Sequence, residues 1–213
     1  DAIDFSRASQ ATFTDSDGLV KYAPHNLCLQ SEDLSTTWAS GTVSVTTNDT
    51  TAPDGTTTAD KIVENTASST HLLFQYVTVP ISTNITFSGY FKADERDWVL
   101  IRIDNTTIFT AHFDLTNTSL EASNNIISAS IEDVGNSWRR VQVTFLSHSS
   151  NTTAQIRLHL NTGSAVFSGG DSYTGDGSSG LHAWGIQLSQ HKFVPIGNPY
   201  IKTTTAAVYG ARL

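Results

Sequence analysis

Apolar and polar residues alternate along most of this chain with a period of two, and helical spacing is nearly absent. In AQIRLHLN, Ile156, Leu158 and Leu160 fall on one side and Arg157, His159 and Asn161 on the other. In RRVQVTF, Val141, Val143 and Phe145 form the apolar side, leaving Arg140, Gln142 and Thr144 outside. That period belongs to a strand with one buried face, and a one-residue slip would bury the arginines. Eight such segments are predicted as strands: 72–79, 85–93, 98–103, 110–115, 128–134, 139–146, 154–160 and 181–188. They recur every dozen or so residues between Gly, Asn, Asp and Ser clusters, the spacing of a sandwich or barrel. The expected fold is all-β: a two-sheet antiparallel β-sandwich of jelly-roll type.

The ends of the chain pattern differently. Residues 1–25 carry turn signals (DSDG at 15–18, Ala23-Pro24) and short extended pieces, and are expected to form an N-terminal arm. The sandwich is expected over 26–192, and 193–213, with two of the five prolines, as an extended C-terminal strap leaving the domain. The chain contains no methionine, so Asp1 is expected to be internal to a longer protein or to follow a processed leader.

Composition narrows the function classes. A net charge of −8 argues against a nucleic-acid binder, which needs a clustered basic face. No apolar run reaches the roughly 18 residues of a membrane helix. The single cysteine, Cys28, excludes an internal disulfide framework and is expected as a small buried hydrophobe. Five N-x-Ser/Thr sequons, at Asn48, Asn84, Asn105, Asn117 and Asn151, are the yield expected of so Asn- and Thr-rich a chain.

Candidate catalytic sets are weak. GDSY at 170–173 sits late in a chain without βα units and lacks a following base, so a turn is expected. Asp94, Glu95 and Asp97 bunch ahead of Trp98, where they solvate a connection better than they flank a sugar. Trp38, Trp138 and Trp184 are expected in the core, while Trp98 is open to either role. The glycine-loaded stretch 169–180, with Asp171 and Asp176, is expected to reverse the chain before Trp184 enters the core. Binding is what remains. Sugars are held by aromatic rings over their C–H faces and planar side chains on their hydroxyls. The candidate ligand residues are Tyr90, Trp98, Arg102, Arg140, Gln142, Arg157 and His159, which would form a groove if their strands share a concave sheet. The alternative, equally open, is an ordinary solvated sheet face.

Several segments in order resemble a family: NLCLQSEDLSTTW (26–38), TTAPDGTTTADKIVE (50–64), FSGYFKADERDWV (87–99), FDLTNTSL (113–120), IEDVGNSWRRVQVTF (131–145), SYTGDGSSGLHAWGIQL (172–188) and PYIKTTTAAV (199–208). Together they are similar to the jelly-roll module of structural and tail-fibre-like proteins of tailed bacteriophages, which itself resembles family 4/9/22 carbohydrate-binding modules. The resemblance implies a non-catalytic virion module binding host-surface or environmental glycans, on a tail fibre, tail or capsid surface, in a homotrimer alongside other virion subunits. A purely architectural decoration domain is the alternative it leaves, and a polysaccharide-degrading enzyme a weaker one. It also implies a structural calcium near the first strand. Glu32 and Asp33 stand at that place, but LHAWGIQL supplies no acidic partner, so no cofactor is expected beyond that possibility.

Overall fold

A computed structural model describes residues 12–14, 20–22, 25–163, 172–190 and 200–209. The rest of the expected arm, with DSDG at 15–18, and Gly169, Gly170 and Asp171 lie outside the described residues. So does 191–199 of the region where the strap begins.

Every described element is a strand. They are β1 (Thr12–Thr14), β2 (Val20–Tyr22), β3 (His25–Asn26), β4 (Ala39–Gly41), β5 (Val43–Thr50), β6 (Ala59–Glu64), β7 (Ser68–Ser69), β8 (His71–Thr78) and β9 (Asn84–Ala93). The second half holds β10 (Trp98–Asn105), β11 (Thr107–Asp114), β12 (Ser119–Ala122), β13 (Ser128–Gly135), β14 (Trp138–Leu146), β15 (Thr153–Asn161), β16 (Tyr173–Thr174), β17 (Gly180–Gln190) and β18 (Val208–Tyr209). The eight strands expected from alternation are all present, within a few residues at each end. The first large sheet runs β12-β11-β10-β15-β8-β4 and the second β13-β14-β9-β17-β6-β5. Every pairing in both is antiparallel. Consecutive strands repeatedly change sheet, as from β8 to β9, β12 to β13 and β14 to β15, which makes a jelly-roll sandwich rather than two meanders.

The core lies between the sheets. Val99, Ile101 and Ile103 of β10 and Ile156, Leu158 and Leu160 of β15 meet Phe87 and Phe91 of β9 and Val141, Val143 and Phe145 of β14 in one buried cluster. Phe109 and Phe145 stack across the gap at 4.9 Å. Burying so many large side chains, at about 1.5–3 kcal/mol each, is what a chain without disulfides relies on. Cys28 is fully buried, and desolvation pushes its thiol far above the ordinary range, so it is inert.

A second, smaller cluster sits on the outer side of the second sheet. Trp138 and Trp184 pack there with Ala52 and Ala59, and Tyr90 and Tyr200 lean against them. Their indole N–H groups donate to Thr51 O (3.1 Å) and Thr58 Oγ1 (2.9 Å), so the 51–58 segment closes over that face. Trp38, Trp138 and Trp184 are buried, as expected, and Trp98 is half-exposed.

Residues 200–209 return to the sandwich. Ile201 N donates to Gln187 Oε1 (2.8 Å), Thr203 Oγ1 donates to Cys28 O (2.7 Å), and β18 pairs with β3. This described part of the expected strap therefore lies on the domain instead of leaving it. Asn26 makes the join: its Nδ2 donates to Ile186 O and Ile201 O, both at 2.9 Å, while its Oδ1 accepts from Cys28 N and Leu188 N.

The glycine-rich loop before β17 is held rather than free. Glu64, on β6, accepts from Arg96 Nε (2.8 Å) and Nη2 (2.6 Å), from Tyr173 Oη (2.6 Å) and from Asp176 N (2.9 Å). Two glycines are required by close approach: a Cβ on Gly175 would lie 1.9 Å from Asn65 O, and one on Gly180 2.2 Å from Ile62 O. Asp176 caps the turn, its carboxylate accepting from Ser178 N and Ser179 N. The described part, 172–179, therefore turns the chain tightly against β6, and Gly175 and Gly180 permit that close approach.

Candidate functional site

The outer faces of the two sheets differ. That of the second sheet is filled by the tryptophan cluster and the 51–58 segment. That of the first sheet carries a compact polar set between aromatic rings.

Register assigns the residues. Along β10 the core positions are Val99, Ile101 and Ile103, so Trp98, Leu100, Arg102 and Asp104 face outward. Pairing sets Arg102 opposite Arg157, Asp104 opposite Gln155, Leu100 opposite His159 and Trp98 opposite Asn161. On the far side of β15, β8 places Phe74 opposite Arg157, Tyr76 opposite Gln155 and Leu72 opposite His159. Phe74, Arg157 and Arg102 thus form one row, and Tyr76, Gln155 and Asp104 the next.

The polar groups hold one another. Asp104 Oδ1 accepts from Arg102 Nε (2.8 Å) and Oδ2 from Arg157 Nη2 (2.7 Å). Gln155 Oε1 accepts from Arg157 Nε (3.0 Å) and Nη2 (2.6 Å). Both guanidinium planes are therefore fixed before any ligand arrives, which lowers the ordering cost of binding. Tyr76 is 65% exposed and meets Phe74 edge-on at 5.8 Å. Trp98 lies six positions along β10 from Asp104, about 20 Å at about 3.3 Å per residue, and two strands, about 10 Å, from Tyr76. The aromatic groups stand at opposite corners of the patch with the arginines between them.

The inner part of this face is not solvated. His159 is 2% exposed, Asn161 1% and Leu100 0%, although none belongs to the inter-sheet cluster. The alternative of an ordinary solvated sheet face therefore does not hold for His159: alternation tells which face a side chain takes but not what crowds that face. Burial, and then the charges of Arg157, Arg102 and His112, push the His159 imidazole down to about 3, so it is neutral at ordinary pH.

The seven expected ligand residues do not share one sheet. Trp98, Arg102, Arg157 and His159 come together on the first. Tyr90, Arg140 and Gln142 lie on β9 and β14 of the second. Tyr90 packs on Trp184 at 5.4 Å with Arg140 over its ring at 5.9 Å, so both belong to the smaller cluster. Gln142 faces Ser130 at 3.4 Å. His159 and His182 are likewise on opposite sheets, His182 meeting Asp49 at 2.8 Å.

Four members of the patch, Phe74, Tyr76, Asp104 and Gln155, carried no expectation. In LLFQYVTV both alternate sets contain apolar residues, and the polar Gln75 points away from the true answer. It is buried on the core side, where its amide clamps Leu29 through Leu29 N (2.7 Å) and Leu29 O (3.0 Å). Asp104 and Gln155 had a usable signal: each lies two residues from an arginine on the same strand face.

Glu32 and Asp33 line a cleft of about 400 Å³ together with Asp60 and Lys202. Both oxygens of Glu32 and Oδ1 of Asp33 are already engaged. Glu32 accepts from Tyr200 Oη (3.0 Å) and Lys202 Nζ (2.7 Å), and Asp33 from Ser35 N (3.1 Å) and Oγ (2.6 Å). Asp60 accepts from Leu34 N and Asn48 N, and burial raises its carboxyl. Among the described residues no group of three or more His, Cys, Asp or Glu converges to hold a metal ion. Asp94 and Glu95 both bind Lys61, at 2.6 and 2.8 Å, in the turn between β9 and β10.

No protein-family model matches the chain, and no curated protein matches it. Solved structures resemble this chain over most of its length. One is the enzymatically active domain of tailspike protein 4 of bacteriophage CBA120, at 14% identity and a TM-score of 0.46, covering 78% of this chain and 21% of that one. This chain therefore spans about a fifth of the tailspike chain's length. Another is the carbohydrate-binding module TmCBM61, solved with β-1,4-galactotriose, at 8% identity and a TM-score of 0.46 over 78% of this chain and 99% of that one. The CBM22-1 xylan-binding domain of Paenibacillus barcinonensis Xyn10C has 12% identity and a TM-score of 0.42 over 80% of this chain and 96% of that one. At these identities the likeness is one of architecture and transfers no residue role.

Proposed function

We propose that this chain is a non-catalytic glycan-binding module whose ligand lies across the outer face of the first sheet. The observation that carries the reading is the patch itself. The rings of Phe74, Tyr76 and Trp98 share one sheet face with the Arg102–Asp104–Arg157–Gln155 network, while the other sheet's outer face is occupied by its own tryptophans. Aromatic rings cover the apolar faces of a pyranose, and pre-fixed planar groups address its hydroxyls without reorganising. The module works by adhesion, with no bond made or broken. The order of its resembling segments supports a place on a virion appendage, where it would hold host-surface or environmental glycans. In a trimer, weak single sites would gain from high effective concentration.

A glycan array, followed by titration calorimetry on each hit, tests this. Tyr76→Ala and Arg157→Ala should each weaken binding by about tenfold or more, the cost of losing a ring or a guanidinium contact to the ligand. Gln142→Ala, on the other sheet, should leave the affinity unchanged. A folded domain that is silent on the array yet docks onto capsid or tail proteins would overturn glycan binding in favour of the architectural reading. Equal losses from the substitutions on the two sheets would remove the site from this face.

A further inference from the structure

The connections at one end of the sandwich contain no carboxylate, amine or guanidinium, and we infer that copies of this chain join there, Ile81 of one seated in a recess of the next. The inference goes beyond glycan binding and does not depend on it.

Four connections build that end: 79–83 between β8 and β9, 106 between β10 and β11, 123–127 between β12 and β13, and 147–152 between β14 and β15. Register brings them together, with Thr78 opposite Thr153, Asp104 opposite Gln155 and Leu146 opposite Asn84. Hydrogen bonds then knit each to its neighbours. Asn105 Nδ2 donates to Asn151 O (3.1 Å), and His148 N donates to Asn105 Oδ1 (2.6 Å). Ser82 N donates to His148 O (3.2 Å), Ser147 Oγ to Pro80 O (2.6 Å) and Asn125 Nδ2 to Ile108 O (2.7 Å). The four connections therefore present one fixed surface.

That surface is unlike the rest. The chain has 12 Lys and Arg and 20 Asp and Glu, yet VPIST, Thr106, SNNII and SHSSNT contain none of them. The turn at the far end of β9 reads DERD (94–97). Exposed aliphatic side chains collect at the uncharged end. Ile81 and Ile127 in the connections, and Ile108 and Leu146 on the strand ends that border them, are each between 46% and 52% exposed. Among the described residues one other large aliphatic side chain is exposed, Val134, which stands beside Asp133 at the opposite end of β13. Next to Ile81 opens a recess of about 350 Å³ with Leu27, Val79, Pro80 and Thr152 among its walls. A cavity of about 150 Å³ already admits a benzene ring, so an isoleucine side chain fits. Projection and recess lie side by side on one surface, the layout from which identical copies close a pair or a ring.

Charge selects a second copy as the occupant. Two chains of net charge −8 repel wherever their acidic surfaces meet. Here the DERD turn is a ten-residue strand away, about 30 Å at about 3.3 Å per residue, or about three screening lengths at 0.1 M salt. Asp104, which borders this end, is already paired with Arg102 and Arg157. A basic partner would be drawn to the acidic surfaces instead and would gain nothing here. Serine and threonine hydroxyls and asparagine amides both donate and accept, so this surface can pair with itself.

Sedimentation equilibrium and light scattering on the whole chain decide the matter. Between about 1 μM and about 1 mM the mass should pass from one chain to two or three, according to whether the contact closes as a pair or a ring. Raising salt from about 0.05 to about 0.5 M should tighten the association several-fold, because it screens the net charge and leaves the apolar contact intact. Ile81→Glu and Leu146→Glu, both at exposed positions, should each weaken association by about tenfold or more, and Val134→Glu should leave it unchanged. Near-ultraviolet circular dichroism checks that each variant keeps the native fold. The mass of one chain at every concentration, association that salt loosens, or equal effects of the three substitutions would each overturn the inference. So would a chain that stays single and uses this end to hold a different protein.

Discussion

Replacing Glu64 by alanine should be among the most damaging single changes in this protein. The carboxylate is fully buried and accepts four hydrogen bonds, two from Arg96 and one each from Tyr173 Oη and Asp176 N. Truncation leaves the Arg96 charge, whose side chain is 19% exposed, with the Tyr173 ring at 5.5 Å and the Asp176 carboxylate at 3.7 Å, and it strands two further donors. Removing one partner of a buried pair costs about 3–5 kcal/mol, and partial exposure of Arg96 puts the expectation at the lower end, about 3 kcal/mol. For a chain of this size that corresponds to a fall in Tm of about 6–12 °C. The effect depends on pH. Burial raises the Glu64 carboxyl, but the Arg96 and Tyr173 hydrogen bonds outweigh it and hold it below the ordinary range. A depressed folded value means that the contribution is present above the unfolded pKa, near 4.5, and is lost as pH falls through the folded one. Urea denaturation of the wild type, Glu64→Ala, Arg96→Met and the double variant, at neutral pH and again in acid, measures both effects. A loss below about 1 kcal/mol, or a deficit that grows in acid, would refute the assignment of Glu64 as the anchor of the loop.

Three other outcomes follow from the geometry. Gly175→Ala should destabilise by about 1–3 kcal/mol or more, because its Cβ meets the Asn65 carbonyl at 1.9 Å. Thermal melts should show no such loss for Gly163→Ala, where nothing among the described residues lies within 4 Å of the added carbon. His159 should show no imidazole titration by NMR from about pH 8 down to about pH 4.5. Its folded value, about 3, lies below the unfolded one, so its contribution is complete above the ordinary histidine pKa and declines as pH falls from there. His159→Gln should accordingly flatten the acid side of the stability profile. Phe145→Ala, at the centre of the inter-sheet cluster, should cost about 3–5 kcal/mol by calorimetry or denaturant midpoint.

Much of the fold is legible in one dimension. Strict alternation in β14 and β15 determines which side chains point inward, because a strand's period of two admits no other arrangement once one face is buried. Turn chemistry between the strands sets their number. Of the strands that escaped, the two longest, β5 and β6, did so for identifiable reasons. VSVTTNDT lies at a sheet edge and is mostly exposed, so it carries little hydrophobic contrast. ADKIVE mixes a buried Asp60 and Glu64 with its apolar residues, since both carboxylates serve hydrogen-bonding roles.

Tertiary structure alone decided the rest. Local alternation assigns Tyr90 and Arg157 to outward faces with equal clarity, yet they stand on opposite sheets, because partner choice is made by pairings between residues far apart in the chain. β9 joins β14 and β17, whereas β10 joins β11 and β15, and that difference moves Tyr90 and Arg140 into a tryptophan cluster while bringing Arg102 to Arg157. The same applies to His159, outward by period and buried by its surroundings. Face is a local property of backbone geometry. Neighbourhood, charge balance and access to solvent belong to the assembled sheets, and the patch that could hold a ligand exists only there.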